Sequence, residues 1–516
     1  MCISTGRPQT AYVSGNRSAT CTVQAAAIEK GQAMPVTPDP VPAPAVQSAA
    51  GFRFPSAFTI LFALIILVAA LSWIIPAGQY TRVHSDALGK DVPVAGSYAP
   101  TEANPQGAFD VILAPIAGFY DPDSYAANAI DVSLFVLIIG GFIGVVTATG
   151  AIDAGIARAM VRLKGRENWM IPFLMALFAL GGTTYGMAEE TLAFYVLLIP
   201  VMIAAGYDAV VAVAVIMLGA GIGVLGSTIN AFSTVIASDA AGVTFADGLM
   251  LRLVILAVCW LITVAYVMRY AARVKADPSK SLVFDKKAAN EAHFLGGKAA
   301  AELSFTGLQQ VVLLLFALTF AVMIWGVSSQ GWWMAQMSGL FLIAAIVIGI
   351  IARLGEARLV EAFVNGARDL LGVALIIGLA RGIVVVMDAG HITDTILHSA
   401  ETTVAGLPAV AFINVIYWIE VGMSFLVPST SGLAVLSMPI LAPVADFAGV
   451  QRELVVTAFA TGSGIVNLIT PTSAVVMGGL AIGRVPYERW LRFIWPLLLA
   501  LTVIIMAALS LAVFLA

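Results

Sequence analysis

The chain has 516 residues, of which 60% are hydrophobic and only 11% charged, with a formal net charge of −4. A soluble chain carries about 25% charged residues, so a large soluble protein is excluded and lipid-facing surface is required. The three cysteines (Cys2, Cys21, Cys259) and four histidines (His84, His293, His391, His398) fit neither a disulfide framework nor a metal motif. That argues against a metalloenzyme.

Residues 1–52 are rich in Ala, Pro, Ser, Thr and Gln, include the run Pro35–Pro44, and lack the apolar stretch of a signal peptide. They read as a disordered cytoplasmic tail. Residues 53–128 hold a first apolar segment near Ala57–Pro76, long enough to span, and a polar, acidic loop over Gly78–Asn128. Residues 129–271 form a first transport repeat. Its apolar segments lie near Val132–Thr149, Met170–Leu180, Leu192–Ala205, Ala209–Leu225 and Leu249–Met268, with a basic loop of Arg158, Arg162, Lys164 and Arg166 after the first. Residues 272–305 belong to a charged cytoplasmic linker whose basic run begins at Arg269 and includes Lys298. Residues 306–365 carry scaffold helices near Gln310–Val327 and Met334–Ile351. Residues 366–516 form a second transport repeat, with segments near Leu370–Met387, Pro408–Ile419, Leu433–Ala448, Leu454–Ile469 and Phe493–Leu515, and Ile392–Thr403 as an outer loop. The fold class is an all-α polytopic membrane protein with about 11–13 membrane segments, some too short to span.

Lys and Arg concentrate on the cytoplasmic side of membrane proteins. Arg53, the Arg158–Arg166 loop, the central linker, Arg353/Arg358 and Arg484/Arg489/Arg492 therefore lie inside, and the acidic loops outside. The expected location is the bacterial cytoplasmic (inner) membrane, with the N-terminus cytoplasmic and the C-terminus periplasmic.

Self-comparison uncovers a repeat. Leu137-Ile138-Ile139-Gly140 with Gly144 matches Leu375-Ile376-Ile377-Gly378 with Gly382. Pro200-Val201, Gly206, Gly219, Gly221, Ile222 and Leu225 match Pro443-Val444, Gly449, Gly462, Gly464, Ile465 and Leu468 in one register. The basic loops give the two copies opposite orientations. Inverted-topology repeats belong to alternating-access transporters, whose sites form near the midplane from broken helices.

Each copy holds two interruptions. They are Gly181–Glu190 and Gly226–Thr234 in the first, and Pro428–Gly432 and Asn467–Ser473 in the second. The helix-breaking residues are Gly182, Gly186, Gly226, Pro428, Gly432 and Pro471. Candidate substrate-binding groups are Thr183, Thr184, Ser227, Thr228, Asn230, Ser429, Thr430, Ser431, Asn467, Thr470, Thr472 and Ser473. Freed N–H groups at half-helix N-termini hold anions and freed carbonyls hold cations. The bland alternative is that small residues merely allow close helix packing. Ionisable groups within membrane segments default to function: Arg381 as a contact for a substrate carboxylate, and Glu189, Glu190 and Glu420 as cation or proton couplers. The competing role for Arg381 is an internal ion pair. Trp325, Trp332 and Trp333 read as an interfacial belt. The Gly219–Gly223 run lacks the strand context of a nucleotide site, and no phosphate-binding loop motif occurs.

The runs Gly186–Thr191, Leu198–Val201, Ala205–Ala209, Asn467–Ser473 and Ile482–Leu491 resemble the YfcC branch of the C4-dicarboxylate anaerobic carrier-like family, over about Phe54 to Ala516. The resemblance implies two re-entrant hairpins and two broken helices around the site, and a homodimer in the lipid bilayer. It implies a secondary active transporter, a symporter or exchanger, of C4-dicarboxylates, short-chain fatty acids or basic amino acids. In a related branch an Asn at each hairpin tip helps bind sodium. Here the tips read Gly-Met-Ala-Glu-Glu and Pro-Ser-Thr-Ser-Gly, without that Asn. The acid pair favours a substrate with an amino group, or proton coupling. The expected ligand is a small carboxylate-bearing metabolite, either a dicarboxylate or an amino acid. Na+ or H+ is the coupling ion, with no sodium ligands assigned, no other cofactor and no nucleic acid. A passive channel or receptor is the alternative of another class.

Overall fold

The computed structural model describes residues 55–85, 90–122, 124–155, 158, 167–296 and 306–515. The expected tail over 1–52, together with Arg53, Arg162, Lys164, Arg166 and Lys298, lies outside the described residues.

Among the described residues, eight helices are long and apolar enough to cross a membrane, and four further apolar helices are shorter. The first part holds α1 (Ala57–Leu71), α2 (Ala108–Ala117) and α3 (Ile130–Ala148). The first repeat continues with α4 (Glu167–Tyr185), α5 (Thr191–Ala204), α6 (Ala209–Gly226), a π-helical turn (Ala231–Val235) running into α7 (Ile236–Ala241), and α8 (Leu249–Ala276). The linker contains α9 (Lys287–Leu295). Between the linker and the second repeat come α10 (Gly307–Gln330), α11 (Met334–Ile351) and α12 (Glu356–Asp369). The second repeat comprises α13 (Leu371–Ala389), α14 (Thr393–Val404), α15 (Ala409–Leu426), α16 (Thr430–Ala448), α17 (Arg452–Val466), α18 (Ala474–Ile482) and α19 (Tyr487–Leu515).

The two copies share a packing plan. α4 packs on α6 as α15 packs on α17. The half-helix that follows each break reaches across to the other copy: α18 packs on α5, and α7 packs on α16. At the centre the contact is reciprocal. A Cβ at Gly221 would meet the Leu468 side chain, and one at Gly464 would meet Leu225. These are the residues that the sequence register pairs, so α6 and α17 cross at a pseudo-twofold axis. α6 is buried on nearly every side, which explains its apolar residues all round.

The opposite orientation of the copies is visible in their ends. Tyr207 Oη donates to Asn168 Oδ1 at 2.8 Å, so both arms of the α4–α5 hairpin leave on one face. Tyr270 Oη and Ser281 Oγ donate to Asp208 there, at 2.7 and 2.6 Å, and Arg489 Nη1 donates to Leu282 O at 2.9 Å. The end of α8, the linker and the start of α19 share this linker face. The α15–α16 hairpin opens on the far face. There Asn414 bonds Ser510, near the end of α19, at 2.8 Å, and Arg452 Nη1 donates to Ala241 O at 3.0 Å.

Several expectations require correction. The Gly78–Asn128 stretch is more than a loop: it pairs β1 (Gly78–Gln79) with β4 (Ala99–Pro100) and β2 (Arg82–Ser85) with β3 (Lys90–Pro93), and then forms α2. Ile392–Thr403 is helical as α14, not a loop. Its polar residues turn inward because the strands fasten onto them: Arg82 pairs with Asp394 at 2.9 Å, Tyr98 Oη lies 2.9 Å from Thr395 Oγ1, and Tyr80 Oη donates to Glu401 at 2.7 Å. Burial and the Glu401 carboxylate hold the Tyr80 phenol well above its ordinary range. Arg269, Arg273 and Lys275 continue α8 instead of starting the linker. α12, too charged to stand out as apolar, packs on α3 through backbone contact at Gly140, Gly144 and Gly366. Trp325 lies within α10, whereas Trp332 and Trp333 fall between α10 and α11.

Candidate functional site

The four interruptions meet pairwise. In the first repeat the hairpin tip at 186–190 meets the break at 227–230. Thr183 Oγ1 accepts from Thr228 N at 2.9 Å and lies 3.0 Å from Thr228 Oγ1. Ile229 N donates to Thr183 O at 3.2 Å, and Asn230 Nδ2 donates to Gly182 O at 3.4 Å. Asn230 Oδ1 caps the π-helical turn by accepting from Phe232 N at 2.9 Å. Ser227 takes a left-handed conformation (φ 38°) as α6 ends, and Thr234 Oγ1 donates to its carbonyl. Gly186, at φ 78°, turns the tip directly against Asn230.

The second repeat repeats the plan with different atoms. Thr472 Oγ1 donates to Phe425 O at 3.4 Å, which matches Asn230 on Gly182 O. Thr470 Oγ1 and Thr472 Oγ1 lie 2.6 Å apart, and Asn467 Nδ2 donates to Thr430 Oγ1 at 3.4 Å. Ser429 Oγ caps α16 through Gly432 N at 3.2 Å. Pro428 and Pro471 lie in the two breaks of this copy. Carbonyls released by the second break are recovered from α19: Tyr487 Oη donates to Ile469 O at 2.6 Å and Trp490 Nε1 to Leu468 O at 3.0 Å.

Four helix N-termini converge on these breaks, at α5, the π-helical turn, α16 and α18. Two differ sharply in electrostatics. Glu190 is the N-cap of α5 and is 7% exposed, and its carboxyl turns back to accept from Ala188 N at 3.0 Å, which sets an acid beside that positive end without capping it. α18 begins after Ser473, which makes no side-chain cap, and carries no acid in its first turn. α18 runs alongside α5, with Gly478 against Leu192, Gly479 against Tyr195 and Gly483 against Ile199. Its N-terminus therefore lies at the level of the acidic tip. Glu189 is half-buried beside Glu190, and Asp131 of α3 lies within electrostatic range of it.

Several expected site residues stand differently from the expectation. Gly182 does not break a helix: α4 continues to Tyr185, and the missing side chain lets its backbone meet α6 at Ala220 and Val224. Gly226 is likewise the last residue of α6, pressed on Leu256. Thr184 is exposed and donates back to Leu180 O at 2.6 Å. Arg381 lies in α13, which packs on α1, α2 and α3 and also on α18, with Asp388 as its carboxylate neighbour. α15 extends to Leu426, so Glu420 lies within a helix and not at its end. Ser473 joins the network only through its backbone, its N donating to Thr470 O at 3.2 Å, and the Ser431 hydroxyl flanks its tip without a side-chain hydrogen bond among the described residues.

Residues missed in the sequence close the far-face side of the first tip. Trp333 Nε1 donates to Asp131 Oδ2 at 3.2 Å, and its ring packs on Phe232 at 5.2 Å. Neither residue carries a local signal, since 131 and 333 are far apart in the chain. On the linker face a cavity of about 970 Å³ separates α3 and α12 from α5 and α18, with Asp153, Pro200, His293, Asn365, Asp369 and Arg484 in its walls.

The chain is 32% identical over 473 residues to a putative basic amino acid antiporter, YfcC, of Escherichia coli K12, covering 86% of this chain and 92% of that protein. It is 36% identical over 491 residues to an uncharacterized protein of Haemophilus influenzae, covering 87% and 94%. Among solved structures it aligns with the YdaH transporter of Alcanivorax borkumensis, 13% identical over 89% of this chain and 98% of that one (TM-score 0.40). It also aligns with MtrF of Neisseria gonorrhoeae, 17% identical over 90% and 96% (TM-score 0.42). Both structural likenesses are too distant to carry weight. The family model of the C4-dicarboxylate anaerobic carriers matches residues 54–514. The chain, a multi-pass membrane transporter, belongs to the C4-dicarboxylate anaerobic carrier family.

Proposed function

We propose that the protein is a secondary active transporter of a small metabolite carrying both a carboxylate and an amino group, an amino acid. Cation-coupled symport or exchange drives it. One observation carries the reading: a carboxylate pair, Glu189 and Glu190, at a hairpin tip level with an uncapped, acid-free helix N-terminus at α18. The α18 N–H groups with Thr470, Thr472 and Ser473 suit a carboxylate, and the acid pair suits an ammonium group. The name of the E. coli relative favours a basic amino acid, and the family description keeps a C4-dicarboxylate as the second reading. The basic linker face is cytoplasmic by the charge rule, so the N-terminus is inside and the C-terminus periplasmic in an inner membrane. A shift of the hairpins against α3 and α12, at the linker-face cavity, switches access.

The test is counterflow in proteoliposomes with labelled arginine, lysine, aspartate and succinate. Trans-stimulation by an amino acid supports the reading, and stimulation by succinate alone replaces it with the dicarboxylate reading. Flux of any of these solutes without trans-stimulation indicates a channel.

A further inference from the structure

The second hairpin holds a buried acid that neither tip uses. Glu420 is wholly buried, and neither carboxyl oxygen has a hydrogen-bond partner among the described residues. It lies six residues before the end of α15 at Leu426, roughly 9 Å behind the tip at 1.5 Å per residue. Tyr417 and Ser424, on the same side of the helix, also have hydroxyls without a hydrogen bond. Gly462 of α17 lies against the Glu420 Cβ, and Ser437 of α16 lies beside the carboxyl, with Ser437 Oγ donating to Leu433 O at 3.0 Å.

Among the described residues no cation is bound to this group. α17 carries Arg452 and Glu453 only in its first turn, and Asp446 near the end of α16 is bound to Arg452. The charges of α19 are Glu488, Arg489 and Arg492, on the linker face. Asp394, His398 and Glu401 of α14 are engaged with the strands and with each other. α8 carries Arg252 in its first turn, set beside Asp247 and Glu453 and donating to Asp247 O and Phe245 O, and Cys259 near Tyr417. The register that aligns Pro200 with Pro443 sets Leu177, an exposed residue, opposite Glu420, so symmetry does not explain the acid. A bare carboxylate without a counter-ion or hydrogen bond is costly at such a site, whereas a neutral carboxylic acid is tolerated.

We infer that Glu420 is the proton-carrying group of the transport cycle, built into the second hairpin apart from the substrate tips. The inference rests on the transporter reading above and names its coupling ion. In the conformation described the carboxyl holds its proton. When the hairpin moves and water reaches the group, the O–H bond breaks, the electron pair stays on the carboxylate, and H+ passes to water on that side. Substrate and proton then travel on one moving body.

Two measurements test it, the first without any substrate. In infrared spectra of the full-length protein in lipid at neutral pH, the carbonyl band of a protonated carboxylic acid should be present, disappear in Glu420→Gln and persist in Glu189→Gln. In proteoliposomes loaded with a pH-sensitive dye, Glu420→Gln should keep arginine counterflow but lose arginine-coupled proton movement and accumulation driven by a pH gradient. Glu420→Asp, which keeps a titrating group, should retain coupling. An infrared band unchanged in Glu420→Gln, or proton movement intact in that variant, overturns the assignment. So does a Glu420→Gln protein that loses counterflow together with coupling. Absence of arginine counterflow in the unmodified protein counts against the substrate reading alone, since the infrared result stands apart from it.

Discussion

The two hairpins share one architecture and distribute charge in opposite ways. The α4–α5 hairpin carries its acids, half-buried Glu189 and buried Glu190, at the tip, and its first arm presents Leu177 where the other hairpin has Glu420. The α15–α16 hairpin has a neutral tip of Pro428–Gly432 and hides its acid inside the arm. A repeat fixes backbone geometry, because breaks, crossing glycines and half-helices must agree for the copies to pack. It does not fix side-chain chemistry. One copy is thus free to recognise a cationic group and the other to accept an anionic one, a division that a zwitterionic ligand requires.

The largest expected effect tests that division. Glu190→Gln removes a charge from the first tip, and losing a charged contact costs about 1.5–3 kcal/mol, or roughly ten- to a hundredfold in affinity. Affinity for lysine or arginine should fall by that factor, whereas Thr472→Val should weaken amino acids and succinate alike. Equal losses for both ligand types in both variants would remove the distinction between the tips. Glu189→Gln and Glu190→Gln that both leave transport and its pH dependence intact would also remove the role given to the pair.

The next effect probes the symmetry axis. A Cβ at Gly464 meets the Leu225 backbone, whereas one at Gly221 meets the end of the Leu468 side chain, which can turn away. Overpacking costs about 1–3 kcal/mol when nothing can give. Gly464→Ala should therefore lower thermal stability clearly more than Gly221→Ala. Equal melting temperatures would show that the crossing is looser than described.

The smallest effect concerns the far-face corner. Arg452 donates to both Asp446 carboxyl oxygens and to Ala241 O, tying the start of α17 to α16 and α7. The pair is half-exposed, so Asp446→Asn should cost under about 1 kcal/mol at neutral pH, less than Gly464→Ala in the same melting experiment. A loss as large as that of Gly464→Ala would mean the corner is more than a surface tie.

Much of this was legible in the chain. Apolar runs and sparse charge required a membrane, and the glycines and prolines in register specified a repeat before any coordinates. The four interruptions were visible because Gly, Pro, Ser and Thr are costly or unusual within apolar helices. Helices whose partner is a neighbouring element were not legible. α12 and α14 carry too much charge to look buried, and only packing on α3 and the strand loop satisfies them. Gly182 illustrates the same limit, because a glycine that breaks a helix and one that admits a neighbour read alike.

The sequence by itself determined the class, the repeat and the location of the breaks, since these follow from transfer free energy and backbone chemistry, which are local. Only the tertiary structure decided that Gly221 and Gly464 pack across a twofold axis. It also set Asp131 and Trp333 beside the first tip and left Glu420 without a partner. Contacts between residues hundreds of positions apart depend on how the helices pack, and no local pattern records that.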